Sequence, residues 1–351
     1  MMSLIPGWLL TILLIGALIL IHEFGHFLAA RLTGVKVEEF GLGYPPRLLT
    51  LFERGGTKVT LNAIPFGGFV RPAGEDDPNI PGGLASAPKR VRAAVLLAGV
   101  GANLVTALIV FTIGFKIGWP DRVVIRSVVP DAPAAVAGLK PGDVVLKVNG
   151  KRVHQSTDLA DVTYQNLGRP LSLQVARGAD ELTLAITPRT TWPEGQGPMG
   201  VEMQVDMVGT YTWLQSAGRS VETIGQQAWL LLTLPAKLIQ GTISASQARP
   251  IGIVGLYDLT SRTIEAAQET SQWVILVQWV GLISTALALG NLLPIPALDG
   301  GRLLFVVIEA VRGRRIPPER ERAVHAVGFV LLLGLMLYIS YLDLVRPVIP
   351  R

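Results

Sequence analysis

The chain has 351 residues, of which 50% are hydrophobic and only 16% charged, with a formal net charge of +5 and no cysteine. Soluble proteins average roughly 25% charged residues, so a mean hydropathy of +0.45 with its charges swept into blocks excludes an ordinary water-soluble domain. The missing cysteines remove disulfides, thiolate nucleophiles, iron–sulfur clusters and cysteine zinc sites, and the positive balance lies in short loops beside apolar runs, which reads as membrane sidedness and not as nucleic-acid binding.

Four apolar stretches are long enough, at about 20 residues, to cross a hydrocarbon layer of ~30 Å as helices. They fall near 4–30, 93–117, 273–296 and 323–343. The first is expected to be a retained span and not a signal peptide, because no cation precedes Arg31 and the run continues directly into His22 and Glu23. The following loop, 31–92, carries nine Lys or Arg, and the loop 302–322 carries six. Both are therefore expected in the cytoplasm, with the two termini and the segment 118–272 outside it. Within the first loop, Lys58–Arg71 has strand character, and Gly67 and Gly68 permit a bend. Such a hairpin can offer an edge to which another extended chain adds.

From 118 to 190 the texture becomes that of a small α+β domain. Val123–Val129 is a β-branched run, Val144–Val148 leads into the hairpin turn Asn149-Gly150, and Asp158–Leu167 reads as a short helix. Leu171, Leu173 and Val175, then Leu182, Leu184 and Ile186, alternate with polar residues as strands do. The remainder, 191–272, is expected to connect this domain to the second membrane half, 273–351. Its apolar part, Thr223–Ala236, is only 14 residues long and is interrupted by Pro235 and followed by Lys237, which favours an interfacial helix over a fifth span.

His22-Glu23-Phe24-Gly25-His26 is an HExxH sequence at the end of the first span. On a helix, residues i and i+4 share a face, so both imidazoles can grip one ion with Glu23 beside the water it carries. Ionisable groups inside a span are costly, and a functional role is the default explanation for them. A catalytic zinc site takes three protein ligands and leaves a position for water. Neither His154, in the small domain, nor His325, at the start of the fourth span, is well placed as the third. Asp299 is better: it ends an otherwise uncharged span on the same side as the HExxH end of the first.

With HEFGH at 22–26, Asn291-Leu-Leu-Pro-Ile-Pro-Ala-Leu-Asp-Gly-Gly301, and Arg249-Pro-Ile-Gly-Ile-Val254, nearly the whole chain resembles the site-2 protease family of intramembrane zinc metalloproteases. The block Pro133–Gly150 resembles the core signature of a PDZ domain, which places the likeness in the bacterial, single-PDZ, sigma-factor-regulating branch. The resemblance implies a polytopic α-helical protein of the inner (plasma) membrane, with about four spans, a membrane-associated β-hairpin and an inserted PDZ domain outside the cytoplasm. It implies one Zn²⁺ per chain on His22, His26 and Asp299, near the cytoplasmic side, with Glu23 as general base. It also supplies Gly99-Val-Gly-Ala-Asn103 as a GxxxN motif, with Asn103 close to the site, Asn291 helping to hold substrate, and the hairpin around Gly67 and Gly68 receiving the substrate strand. Asn103 reads equally well as interhelical hydrogen-bonding glue. Val100 stands where many members have proline and Arg249 where glycine is usual; neither touches the ligands.

The implied substrates are single-pass transmembrane proteins in the bilayer, such as anti-sigma factors or remnant signal peptides, cut after an earlier external cleavage. The PDZ domain either binds a peptide ligand or excludes substrates with intact outer domains. The alternatives are a catalytically inactive PDZ-containing membrane scaffold, which has no use for Glu23, and a zinc transporter, whose spans would carry more polar groups than Asn103, Gln278 and Asn291.

Overall fold

A computed structural model describes residues 7–193, 195–208, 211–241, 243, 249–270 and 272–347. The start of the span expected from residue 4, and Arg351, lie outside them. The chain divides into two compact units, one formed by Met1–Ile113 with Leu214–Arg351 and the other by Gly114–Trp213.

The first unit opens with α1 (Gly7–Leu32), apolar and uncharged as far as Glu23. Two long strands follow, β1 (Val37–Arg54) and β2 (Thr57–Pro72), joined at Gly55-Gly56. Both turn glycines have positive φ, 59° and 77°, as a tight two-residue hairpin turn requires. The hairpin then doubles back on itself. Glu39–Leu42 partners Gly68–Arg71 along one margin and Lys58–Leu61 along the other, and Leu49–Arg54 continues on Thr57–Leu61. The expected bend occurs at Gly67, with φ 80°. A Cβ on Gly68 would collide with both Gly41 O and Leu20 Cδ2, so only glycine lets this stretch press against α1. Glu39 closes the centre, receiving Thr60 Oγ1 and Arg47 Nη2 at 2.8 Å and Arg71 Nη1 at 3.2 Å. Leu48, Leu49, Leu51, Phe52 and Ile64 are left exposed on the hairpin. α2 (Lys89–Ile117) begins immediately after Pro88, which cannot continue a helix backwards.

The second unit is an antiparallel sheet with two short helices. Its elements are β3 (Trp119–Val128), α3 (Pro133–Val136), β4 (Val144–Val148), β5 (Lys151–Arg152), α4 (Ser156–Gln165), β6 (Leu171–Arg177), β7 (Asp180–Ile186) and β8 (Val201–Val208). The strand order is β7-β6-β4-β3-β8, with β5 on β4. Asn149 and Gly150 take φ 47° and 78° at the β4–β5 turn, matching the sequence signal. Leu171, Leu173 and Val175 point into a core shared with Val123, Ile125, Val145, Val148, Leu159 and Ile186. The sheet runs further than 190: β8 pairs with β3 from Trp119↔Val208 to Val128↔Val201, so this part of the connecting segment belongs to the domain. Asp143 is 1% exposed and takes Arg177 Nε and Nη2 at 2.7 Å each, with Lys140 N–H at 2.8 Å.

The first unit resumes with α5 (Trp213–Ile239), amphipathic and containing Pro235, then α6 (Ile253–Thr270), α7 (Val274–Leu292), α8 (Asp299–Arg312) and α9 (Pro318–Val345). Among the described residues, α1, α2, α7 and α9 are the four helices long and apolar enough to cross a membrane. The third stops at Leu292 and not at 296, because Leu293 turns extended (ψ 140°) ahead of Pro294, as a residue before proline prefers. At the start of α6, Asp343 of α9 accepts the N–H groups of Gly252 and Gly255 at 2.9 Å each and pairs with Arg249 Nη2 at 2.7 Å. Arg249 therefore has a partner of its own, and its Nη1 adds a bond to Arg346 O at 2.9 Å.

Candidate metal centre

α1 carries His22 and His26 one turn apart, and α8 presents Asp299 in its first turn. His22 Nε2 lies 2.9 Å from Asp299 Oδ2, His26 Nε2 lies 3.2 Å from the same oxygen, and the two Nε2 atoms are 3.1 Å apart. Metal bonds of 2.0–2.2 Å at tetrahedral angles separate ligand atoms by roughly 3.3–3.5 Å. The three atoms thus form a triangle with edges of 2.9–3.2 Å, slightly tighter than that spacing, and His22, His26 and Asp299 are the residues that would hold a zinc ion.

Three glycines make this convergence sterically feasible. A Cβ on Gly25 would collide with Ala98 O, so α1 and α2 cross there with nothing between them. A Cβ on Gly99 would overlap His26 Nε2 and stand 2.8 Å from His22 Cε1, filling the space under both imidazoles. Gly300 has Leu292 O and Leu293 O where a Cβ would need to go, which lets the start of α8 fold tightly under the preceding loop. α8 is also fastened sideways: Arg302 pairs with Glu75, and Glu309 with Arg92 at 2.5 Å.

The outer nitrogens of the histidines fix how the rings present themselves. His26 Nδ1 lies 2.8 Å from Val95 O, which only accepts, so Nδ1 holds the proton and Nε2 offers its lone pair inward. His22 Nδ1 faces the buried Asn103 amide at 3.4 Å, while Asn103 Oδ1 is buried with no hydrogen-bond partner. Amide O and N are interchangeable assignments. With the amide turned end for end, Oδ1 accepts from His22 Nδ1–H and frees His22 Nε2 as well. That orphaned oxygen fits a metal-binding pair of imidazoles.

Glu23 Oε2 receives the backbone N–H of Val70 at 3.0 Å, which brings β2 directly to the acid of the HExxH sequence. The other expected residues are spread around this centre. Gly67 and Gly68 lie on β2 against Ile19 and Leu20 of α1. Asn291 stays on its own helix, its Nδ2 donating to Leu287 O at 3.0 Å. Sequence reasoning gives no role to the Val95 carbonyl or the Val70 amide, since backbone groups carry no sequence signal, and it treats Gly99 only as part of a motif. His325 is outside the triad, as expected, but its Nδ1 accepts the N–H of Ala297, two residues before Asp299.

The chain matches the profile of peptidase family M50 over residues 10–335. A Clostridium perfringens protein carrying a zinc-metalloprotease name is 32% identical, over 97% of this chain and 98% of the relative. The zinc metalloprotease RasP of Geobacillus kaustophilus is 30% identical over 95% and 96%. A Nostoc protein with a zinc-metalloprotease name is 35% identical over 94% of each. Among solved structures, the PDZ domain of an SdrC-like protein from Listeria monocytogenes is 23% identical, covering 24% of this chain and 87% of that one, with a TM-score of 0.22, too low to compare folds.

Proposed function

This chain belongs to peptidase family M50, the site-2 proteases, and from that premise we propose that it is an intramembrane zinc endopeptidase whose ligands are His22, His26 and Asp299. The observation that carries the assignment is the 2.9–3.2 Å triangle of donor atoms on α1 and α8. Held by these three residues, one zinc ion would polarise the scissile carbonyl and would make water easy enough to deprotonate that it becomes a nucleophile near neutral pH.

The remaining work falls to the protein. Glu23, on the same helix as the two imidazoles, takes the proton of the attacking water and delivers it to the departing amine. Val95 O and Asn103 hold the two rings in the tautomer that directs Nε2 inward. A helical substrate hides its peptide bonds in its own hydrogen bonds, so an extended stretch needs replacement partners. The margin of β2 near Gly68–Arg71, beside Glu23, is proposed to supply them by strand addition, with Asn291 holding the substrate further along. The exposed Leu48, Leu49, Leu51, Phe52 and Ile64 support a hairpin resting at the bilayer surface.

The proposed substrates are single-pass transmembrane proteins, such as anti-sigma factors or remnant signal peptides. The basic loops 31–92 and 302–322 support placing the zinc end of α1 near the cytoplasm and both termini outside it. The unit Gly114–Trp213 is proposed to be a PDZ domain that selects substrates, by binding a peptide or by size.

The test is cleavage of a tagged single-span substrate in cells, comparing the natural chain with Glu23→Gln at matched expression. Product from the natural chain alone supports the proposal. Equal product from both chains overturns the assignment of Glu23.

A further inference from the structure

The loop that delivers Asp299 contains a residue in a conformation it does not favour. Ala297 has φ 78°, the left-handed region, which costs an ordinary residue about 1–2 kcal/mol. Its neighbours bond within the loop: Ile295 N–H to Leu293 O at 2.7 Å, Leu298 N–H to Ile295 O at 3.2 Å and Arg302 N–H to Leu298 O at 3.2 Å. The N–H of Ala297 leaves that pattern and points to α9, where His325 Nδ1 accepts it at 2.9 Å. An Nδ1 that accepts puts the ring proton on Nε2. The imidazole also packs against Phe305 of α8, with ring centroids 5.4 Å apart. One turn further along α9, Gly328 permits the approach, since a Cβ there would collide with Pro296 Cβ. Two residues beyond Ala297, the chain places Asp299 against His22 and His26.

We propose that His325 is a positioning residue for the metal centre: its Nδ1 captures the Ala297 N–H, fixes the left-handed turn, and thereby sets the reach of Asp299. The inference rests on the reading of Asp299 as a ligand. His325 touches neither metal nor substrate and acts through the loop alone. The role belongs to an acceptor atom at that place, and an apolar ring or chain of similar bulk does not supply it.

The test uses the full-length purified protein, loaded with zinc chloride, and measures zinc affinity by competition with a chromogenic chelator. His325→Leu removes the acceptor and is expected to weaken zinc binding about 10- to 100-fold, the usual effect of losing a group that orients a ligand. His325→Asn, whose Oδ1 can accept the same N–H, is expected to remain within a few fold of the natural chain. Ala297→Gly, which removes the cost of the left-handed turn, is expected to recover part of the loss when combined with His325→Leu. The inference is overturned if His325→Leu binds zinc like the natural chain. It is equally overturned if Asn and Leu are impaired alike with no recovery by Ala297→Gly, which would leave packing as the only role. Failure of the ligand reading itself is distinguishable, because then the natural chain and Asp299→Ala bind zinc equally.

Discussion

The backbone N–H of Val70 donates to Glu23 Oε2 at 3.0 Å, so the margin of a β-strand and the acid of the HExxH helix share one hydrogen bond. A bond to a charged acceptor contributes about 1.5–3 kcal/mol. Val70→Pro, which deletes the donor at a strand margin where proline is tolerated, is expected to lower cleavage about 10- to 100-fold with zinc content unchanged. Val70→Ala keeps the N–H and is expected to cleave within a few fold of the natural chain. Rates and zinc content measured on the same purified samples decide it.

At Gly99, α2 passes both imidazoles with no room for a side chain. Gly99→Ala drives a methyl group into His26 Nε2 and is expected to abolish zinc retention and cleavage together. Gly101→Ala, two residues along, meets nothing within 4 Å and is expected to leave both intact. Zinc content after gel filtration is the measurement; a Gly99→Ala chain that retains a full zinc complement would show that α2 lies elsewhere.

Asn103 is assigned to His22 through its carbonyl oxygen. Asn103→Leu is expected to weaken zinc binding about 10- to 100-fold, whereas Asn103→Asp, which still accepts from Nδ1–H, is expected to lose far less. If Leu and Asp prove equally tolerated, the residue is interhelical glue and no more.

In the second unit, burial pushes the Asp143 carboxyl up, but the Arg177 guanidinium and the Lys140 N–H outweigh it and hold its pKa below the ordinary value. A carboxyl depressed on folding contributes stability that is present above its unfolded pKa and is lost as pH falls through the folded one. The protease resistance of Gly114–Trp213 is therefore expected to exceed that of Asp143→Asn at pH 7, with the gap closing on the acid side of about pH 4. A gap that persists unchanged into acid would remove Asp143 as the cause.

The parts legible in the sequence are those that depend on near neighbours. His22 and His26 sit at helical spacing, Asn149-Gly150 takes the dihedral pair that such a turn prefers, and the strand pattern of 171–175 alternates into the core as written. Asp299 is legible because a lone acid at the end of an uncharged span is costly without a task. The rest depends on distant pairings. β8 lies some eighty residues from β3, and its alternation means nothing without that partner. The doubling back of Glu39–Leu42 between two parts of β2 cannot be told from a plain hairpin by periodicity. His325 is set aside as a ligand for a sound reason, its place in the chain, but that reason says nothing about a backbone amide in a loop folded against it.

Asp343 receives Arg249 and two amides at the start of α6, and it is 4% exposed within a helix long and apolar enough to span a bilayer. A carboxylate in such surroundings cannot release its partners without being stranded, a penalty of about 3–5 kcal/mol when one member of a buried pair is lost. The Gly252 end of α6 is thus fastened to α9 by polar bonds. The rest of the helix is held differently, by packing against α1, α7 and α9 and by the Trp279 Nε1 bond to Thr260 Oγ1 at 2.9 Å, so α6 is fixed by charge at its first turn and by fit along its length.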